Sequence, residues 1–253
     1  MMRKISTLML CLTAVASTFA ATKADTLTVR IERMHCDHCA HNVRNLLTKG
    51  EGVERVTCNL ERRTATIAYN AKKVSPDTLC ARLAASGRYL PAAYSPSDVI
   101  LRQVAYRIDD MHCKRCEDRI AHVLQPIAGI DSVGADLEKH TFTVRYDANK
   151  TSKSVVREKM NQLGFTPVTY YDSPKVDYAY YELPEGKATE ETKEELLVMD
   201  NVADVNVNAR RNTMAVAYVV KQLAADKLLE DIRKAGVEAK VPAPHECKEG
   251  AEN

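Results

Sequence analysis

This sequence predicts an α+β fold of three tandem β-α-β-β-α-β units, on the strength of three observations. The string Met34-His35-Cys36-Asp37-His38-Cys39 returns as Met111-His112-Cys113-Lys114-Arg115-Cys116, 77 residues later. The apolar framework around the two strings superimposes without a gap: Ile31 falls on Ile108, Leu47 on Leu124, Gly52 on Gly129, Tyr69 on Tyr146 and Gly87 on Gly164. A further shift of 72 residues lays Tyr106 on Tyr178, Leu124 on Leu196, Val144 on Val216 and Gly164 on Gly236. Self-similarity at a fixed period marks repeated structural units and has to be recognised before single elements are read. The third copy keeps the framework and loses the sulfurs: Leu183 stands for Met111, Glu185 for Cys113 and Ala188 for Cys116.

The second copy shows each element in order. Val104, Tyr106 and Ile108 alternate as a half-buried strand does. A helix over about residues 115–125 follows and stops at Pro126, whose ring cannot continue it. Val133, Ala135 and Leu137 alternate, then Phe142, Val144 and Tyr146, giving two strands. Val155, Val156, Met160 and Leu163 recur at helical spacing, with Gly164 placed to end that helix. A short strand over 168–170 closes the unit. This order, in about 68 residues, is the ferredoxin-like split βαβ arrangement. The expected organisation is residues 26–94, 103–171 and 175–242, the last a degenerate copy without cysteines. Ser95-Pro96-Ser97-Asp98 reads as a loop between the first two, and residues 172–175 as a shorter, stiffer junction before the third. Residues 243–253 read as a polar, disordered tail.

Residues 1–24 read as a secretory signal: Arg3 and Lys4, then an apolar stretch over 8–16, then small residues ending at Ala20 or Ala24. The apolar stretch is shorter than the ~20 residues of a spanning helix, and no later segment is apolar enough to cross a bilayer. The expected mature protein is therefore exported, periplasmic or secreted, with no membrane span after signal removal. The net charge of +2 turns slightly negative once Arg3, Lys4 and Lys23 leave. No basic face of the kind that phosphate backbones require is present, which excludes nucleic acid as the expected partner. Removing Cys11 with the signal leaves seven cysteines of the eight, an odd number that no complete internal disulfide framework can use.

The chemistry sits at Cys36, Cys39, Cys113 and Cys116. In each copy the first cysteine falls in the loop leaving the first strand, and the second falls in the first turn of the following helix. Three residues apart on a helix, two side chains return to nearly one face, so the sulfurs converge. The helix N-terminus presents unpaired N–H groups and a positive dipole end, which favour thiolate. Two thiolates suit a soft ion content with few ligands. Cu(I) is the first choice and Hg(II) would also accept two sulfurs, while Zn(II) wants four ligands and needs two more. His35 and His112 are the nearby extra donors, with a solvated loop as their default state. Met34 and Met111 should point inward as anchors, because an apolar residue, Leu183, is kept at that place where no sulfurs exist. Cys58 lies on the strand alternation of Val56 and Leu60 and reads as a core residue. Cys80 reads as surface-facing, and Cys247 as a tail thiol beside His245 and Glu246. No Ser/His/Asp set, phosphate loop or carboxylate pair stands out, so no enzyme activity is expected.

These repeats resemble the heavy-metal-associated domain family of copper chaperones, the N-terminal modules of copper-transporting P-type ATPases, and mercury-binding proteins. Residues 26–94 and 103–171 carry the resemblance well; 175–242 carry it only as a degenerate copy. The resemblance implies Cys36, Cys39, Cys113 and Cys116 as ligands of Cu(I), or of Zn(II) or Hg(II). It implies as partner a metal-transporting membrane protein or an exported metalloprotein. The family glycine before the methionine is Arg33 in the first copy and Asp110 in the second. The family also keeps a residue near the metal after the second helix; here it is Arg88 in the first copy and Phe165 in the second, so the two sites are expected to differ. The leading expectation is a non-enzymatic protein that buffers or transfers a soft ion. Two alternatives stand beside it: a thiol–disulfide protein using the same pairs, and an interaction module with vestigial metal binding.

Overall fold

The computed structural model describes residues 24–220 and 224–243. The expected signal segment lies outside the described residues except for Ala24, and the expected tail except for Ala243. The first repeat contains β1 (Asp25–Arg30), α1 (Asp37–Thr48), β2 (Val53–Asn59), β3 (Thr64–Tyr69), α2 (Pro76–Ala84) and β4 (Ala92–Ala93). The second contains β5 (Leu101–Arg107), α3 (Lys114–Leu124), β6 (Ile130–Asp136), β7 (Thr141–Asp147), α4 (Lys153–Gln162) and β8 (Val168–Thr169). The third contains β9 (Val176–Glu182), α5 (Glu190–Leu197), β10 (Val202–Asn208), β11 (Thr213–Val219) and α6 (Ala225–Lys234).

The sheets run β2-β3-β1-β4, β6-β7-β5-β8 and β10-β11-β9. In each sheet the third strand of the repeat lies between the second and the first, the mark of the split βαβ arrangement expected from the sequence pattern. The expected closing strand of the third repeat is reduced to one bridge, Glu182↔Lys240. Lys240 exchanges both backbone hydrogen bonds with Glu182, at 2.8 and 2.9 Å, and the ladder goes no further.

Local chemistry places the helices. Ser75, Ser152 and Thr189 cap α2, α4 and α5, each side-chain oxygen accepting from an amide three residues on. Pro76 opens α2, where its missing N–H costs nothing. Each helix pair covers one sheet face. In the second repeat Tyr106, Ile108, Met111, Ile120, Phe142 and Val144 form that core; in the third, Tyr181, Leu196, Val205, Met214, Val216 and Leu228 do. Met34, Met111 and Leu183 are all buried, as expected of loop anchors.

The chain divides into two compact units. One runs to Cys58 and resumes over Ala65–Ala92; the other holds Asn59–Thr64 and everything from Ala93 onward. The second and third repeats are therefore one body. Val168 packs with Ala215 and Ala217, so β11 is buried on both faces. Thr166 and Thr213 share a hydroxyl hydrogen bond of 2.6 Å. Asn208 donates to the Phe165 carbonyl at 2.7 Å. Arg157 pairs with Asp204, which also accepts from the Thr169 amide at 2.8 Å. Burial alone would raise the Asp204 carboxyl, but Arg157 and Thr169 outweigh it and hold the group below its ordinary value. Among the described residues no helix is long and apolar enough to cross a membrane.

Candidate metal centres

The first β–α junctions of the first two repeats turn in the same way. The Met34 amide bonds the Ile31 carbonyl and the Met111 amide the Ile108 carbonyl, both at 3.0 Å. These turns bury the methionines and lift the next three residues to the surface. Cys36 is the N-cap of α1 and Cys113 the N-cap of α3, both in extended backbone (φ −145° and −153°). Cys39 and Cys116 follow in the first turn, so each pair straddles a helix start, where amide dipoles favour negative charge.

The sulfurs converge as the sequence predicts. Cys36 Sγ lies 2.6 Å from Cys39 Sγ, and Cys113 Sγ lies 3.4 Å from Cys116 Sγ. All four are free thiols. Metal–sulfur bonds of about 2.3 Å allow sulfurs up to about 4.6 Å apart, so a small χ1 rotation in each pair would seat an ion. The pairs are not equally open. Cys36, Cys113 and Cys116 are half-buried, whereas Cys39 is buried, at 1% exposure. Its chain neighbour Ala40 and Tyr89, which hydrogen-bonds the Cys39 side chain, are buried with it.

The surroundings differ more than the strings do. In the first site the Cys39 amide donates to Cys36 Sγ at 3.3 Å, so the thiol itself caps the helix. The Cys36 thiol beside it lowers the Cys39 pKa, against the opposing effect of burial, with help from the His35 amide and Tyr89. Arg88 places Nη2 3.9 Å from Cys39 Sγ, where the loop after α2 was expected to bring it. In the second site Cys113 caps α3 with its backbone alone. The amide and thiol of Cys116 lower Cys113, while burial raises Cys116. Phe165 is buried there beneath the Arg119 guanidinium, 5.3 Å from the ring centroid.

The histidines part company. The donor atoms of His35, Cys36 and Cys39 all lie within 4.8 Å of one another. The His112 ring instead meets His140 edge-on, with centroids 5.6 Å apart. His140 Nδ1–H donates to the Met111 carbonyl at 2.9 Å, a contact that sequence reasoning missed. Its signal was faint: His140 aligns with Arg63 and Asn212, and all three carry left-handed backbone (φ 48°, 54° and 52°) at the same hairpin. Cys58 is half-buried and its thiol points at the Ala40 carbonyl, 3.7 Å away; Cys80 is half-buried too. Burial raises both thiols, away from the reactive thiolate. Cys247 lies outside the described residues.

Fold and site together define a class: ferredoxin-like βαββαβ domains in series, the first two each carrying a dithiol across the start of the first helix. Residues 28–88 and 105–166 match the family model "Heavy-metal-associated domain", one match on each of the two cysteine-bearing repeats. Copper-transporting ATPase 1 of Rattus norvegicus is 26% identical over 228 residues, covering 79% of this chain and 15% of that protein. The Copper-exporting P-type ATPase of Bacillus subtilis (strain 168) is 24% identical over 150 residues, covering 59% of this chain and 18% of that protein. The chain therefore spans under a fifth of the length of these curated relatives. The solved N-terminal soluble domains of Bacillus subtilis CopA align over 57% of this chain and 96% of theirs, at 23% identity and a TM-score of 0.27.

Proposed function

We propose that this chain is an exported, non-enzymatic carrier of a soft ion, Cu(I) before Zn(II) or Hg(II), bound at Cys36/Cys39 and at Cys113/Cys116. One observation carries the reading: two pairs of free, converging sulfurs, each set across a helix N-terminus and each open to solvent on one side. An incomplete ligand shell holds a thiophilic ion yet lets a partner's thiolate enter as another leaves. The relatives' names, copper-transporting and copper-exporting ATPases, support copper and a membrane transporter as partner. Tethering two such sites in one chain raises the effective concentration of one for the other's ion.

Native mass spectrometry of the reduced chain with Cu(I) tests this. Two ions are expected, and Cys36→Ser and Cys113→Ser should each remove one. Failure of either loop to bind Cu(I) at micromolar concentration defeats the reading. A second reading has its own observation: at 2.6 Å the first sulfur pair is near the ~2.05 Å of a disulfide. Closing that bond releases two protons and passes two electrons to an oxidant such as a partner disulfide. Insulin reduction that depends on both cysteine pairs would favour it.

A further inference from the structure

The two loops share the string Met-His-Cys-x-x-Cys but do not present the same donors. Beside the first dithiol stands an imidazole. His35 is exposed on a surface loop, and its donor atom, Cys36 Sγ and Cys39 Sγ lie within 4.8 Å of one another. Three donors at about 2.0–2.3 Å from one ion stand roughly 4 Å apart, which rotation of an exposed side chain supplies. Among the described residues this is the one group of three such donors. Beside the second dithiol the equivalent imidazole is turned elsewhere: His112 rests edge-on against His140, which is itself tied to the Met111 carbonyl. The hairpin explains the difference. Its left-handed residue is His140 in the second repeat and Arg63 in the first, so only the second loop meets an imidazole partner there.

We infer that the tandem sites are chemically unequal: Cys36, Cys39 and His35 form a three-donor N/S₂ centre for Cu(I), whereas Cys113 and Cys116 form a two-sulfur centre. The inference deepens the proposed function and rests on it. Charge supports Cu(I) as the occupant of the first site. Two thiolates, a neutral imidazole and a monovalent cation leave one net negative charge, and Arg88 stands 3.9 Å from the shielded sulfur to offset it. A divalent ion would leave the site neutral and gain nothing from that guanidinium. The third donor slows release, so at equilibrium an ion shared by the chain rests on the first site, and the second site exchanges faster.

The test uses the full reduced chain in two forms, one with Cys113→Ser and Cys116→Ser, the other with Cys36→Ser and Cys39→Ser. Cu(I) affinity is measured against a chromophoric chelator before and after the neighbouring histidine is changed. His35→Ala should weaken the first site by at least about tenfold, the usual scale for losing a partner at a metal site. His112→Ala should change the second by less than about twofold. Cu K-edge absorption should report one nitrogen and two sulfurs in the first form and sulfur alone in the second. Equal effects of the two histidine variants, or an all-sulfur first site, overturn the inference and leave the proposed function standing. Absence of Cu(I) binding in either form overturns the proposed function itself.

Discussion

At the residue scale, one atom at Cys36 serves two purposes. Its sulfur accepts the Cys39 amide and so caps α1, a job usually given to Ser, Thr, Asp or Asn. The same sulfur is a proposed ligand. Substitution separates the two: Cys36→Ser keeps an acceptor at the cap, and Cys36→Ala removes it. Both should lose the ion equally, yet in the metal-free protein the Ala variant should be less stable than the Ser variant by about 1 kcal/mol. Urea denaturation of the two measures this, and equal midpoints would refute the capping role. Arg88 offers a second separation. Its guanidinium is exposed and one sulfur contact away from the site, so water screens most of its field. Arg88→Ala should weaken Cu(I) at Cys36/Cys39 by a few-fold, about 1 kcal/mol, and leave Cys113/Cys116 unchanged. An unaltered chelator competition curve removes Arg88 from the site.

At the element scale, β11 shows what the sequence reveals and what it withholds. Met214, Val216 and Tyr218 alternate toward the helices of their own repeat, and that alternation is plain in the sequence. The positions between them, Ala215 and Ala217, align with Thr143 and Arg145 of β7. Small residues replace polar ones because this second face packs on Val168; without a partner in view, two alanines read as a neutral surface. The same holds at the sites. The four sulfur positions are legible because ligand spacing is local. Which sulfur is shielded, and which way His35 and His112 turn, depends on Tyr89, Arg88 and His140, residues brought there by the fold. The missing last strand of the third repeat was hidden for the opposite reason: Val237 and Ala239 alternate like a strand, but both are buried while only Lys240 pairs. Ala217→Arg, which copies Arg145, should drive an unpaired charge into the packed face and cost about 3 kcal/mol or more. Thermal unfolding reads the loss, and a shift equivalent to under about 0.5 kcal/mol would mean the face is not packed.

At the scale of the whole molecule, the ligand-free third repeat has a structural task within its unit, and Asp110 connects that task to a metal loop. Asp110 stands where the family has glycine, directly before the buried Met111. It accepts from the Thr166 amide and from the Tyr180 hydroxyl, each at 3.4 Å. The departure from glycine thus has a cause: the residue opening the second loop also binds the third repeat. Burial raises the Asp110 carboxyl from 3.8 to about 6, over the opposing pull of Thr166 and Tyr180, with Asp109 adding to the rise. Tyr180 is itself pushed up to about 12, so near neutral pH it stays a neutral donor. A carboxyl whose folded-state value exceeds its unfolded one stabilises the fold fully below the unfolded value, and that contribution is lost as pH rises through the folded one. The window here runs from about pH 4 to about pH 6. Asp110→Asn retains an acceptor for Thr166, and its amide can donate to the Tyr180 oxygen, without the charge. Relative to the unaltered chain it should be near neutral at pH 4 and stabilising at pH 7.5, by on the order of 1–3 kcal/mol. Paired denaturation curves at the two pH values measure the difference. If Asp110→Asn is equally stabilising at both, or destabilising at pH 7.5, then the carboxylate is held comfortably in its charged form and the junction carries no such strain.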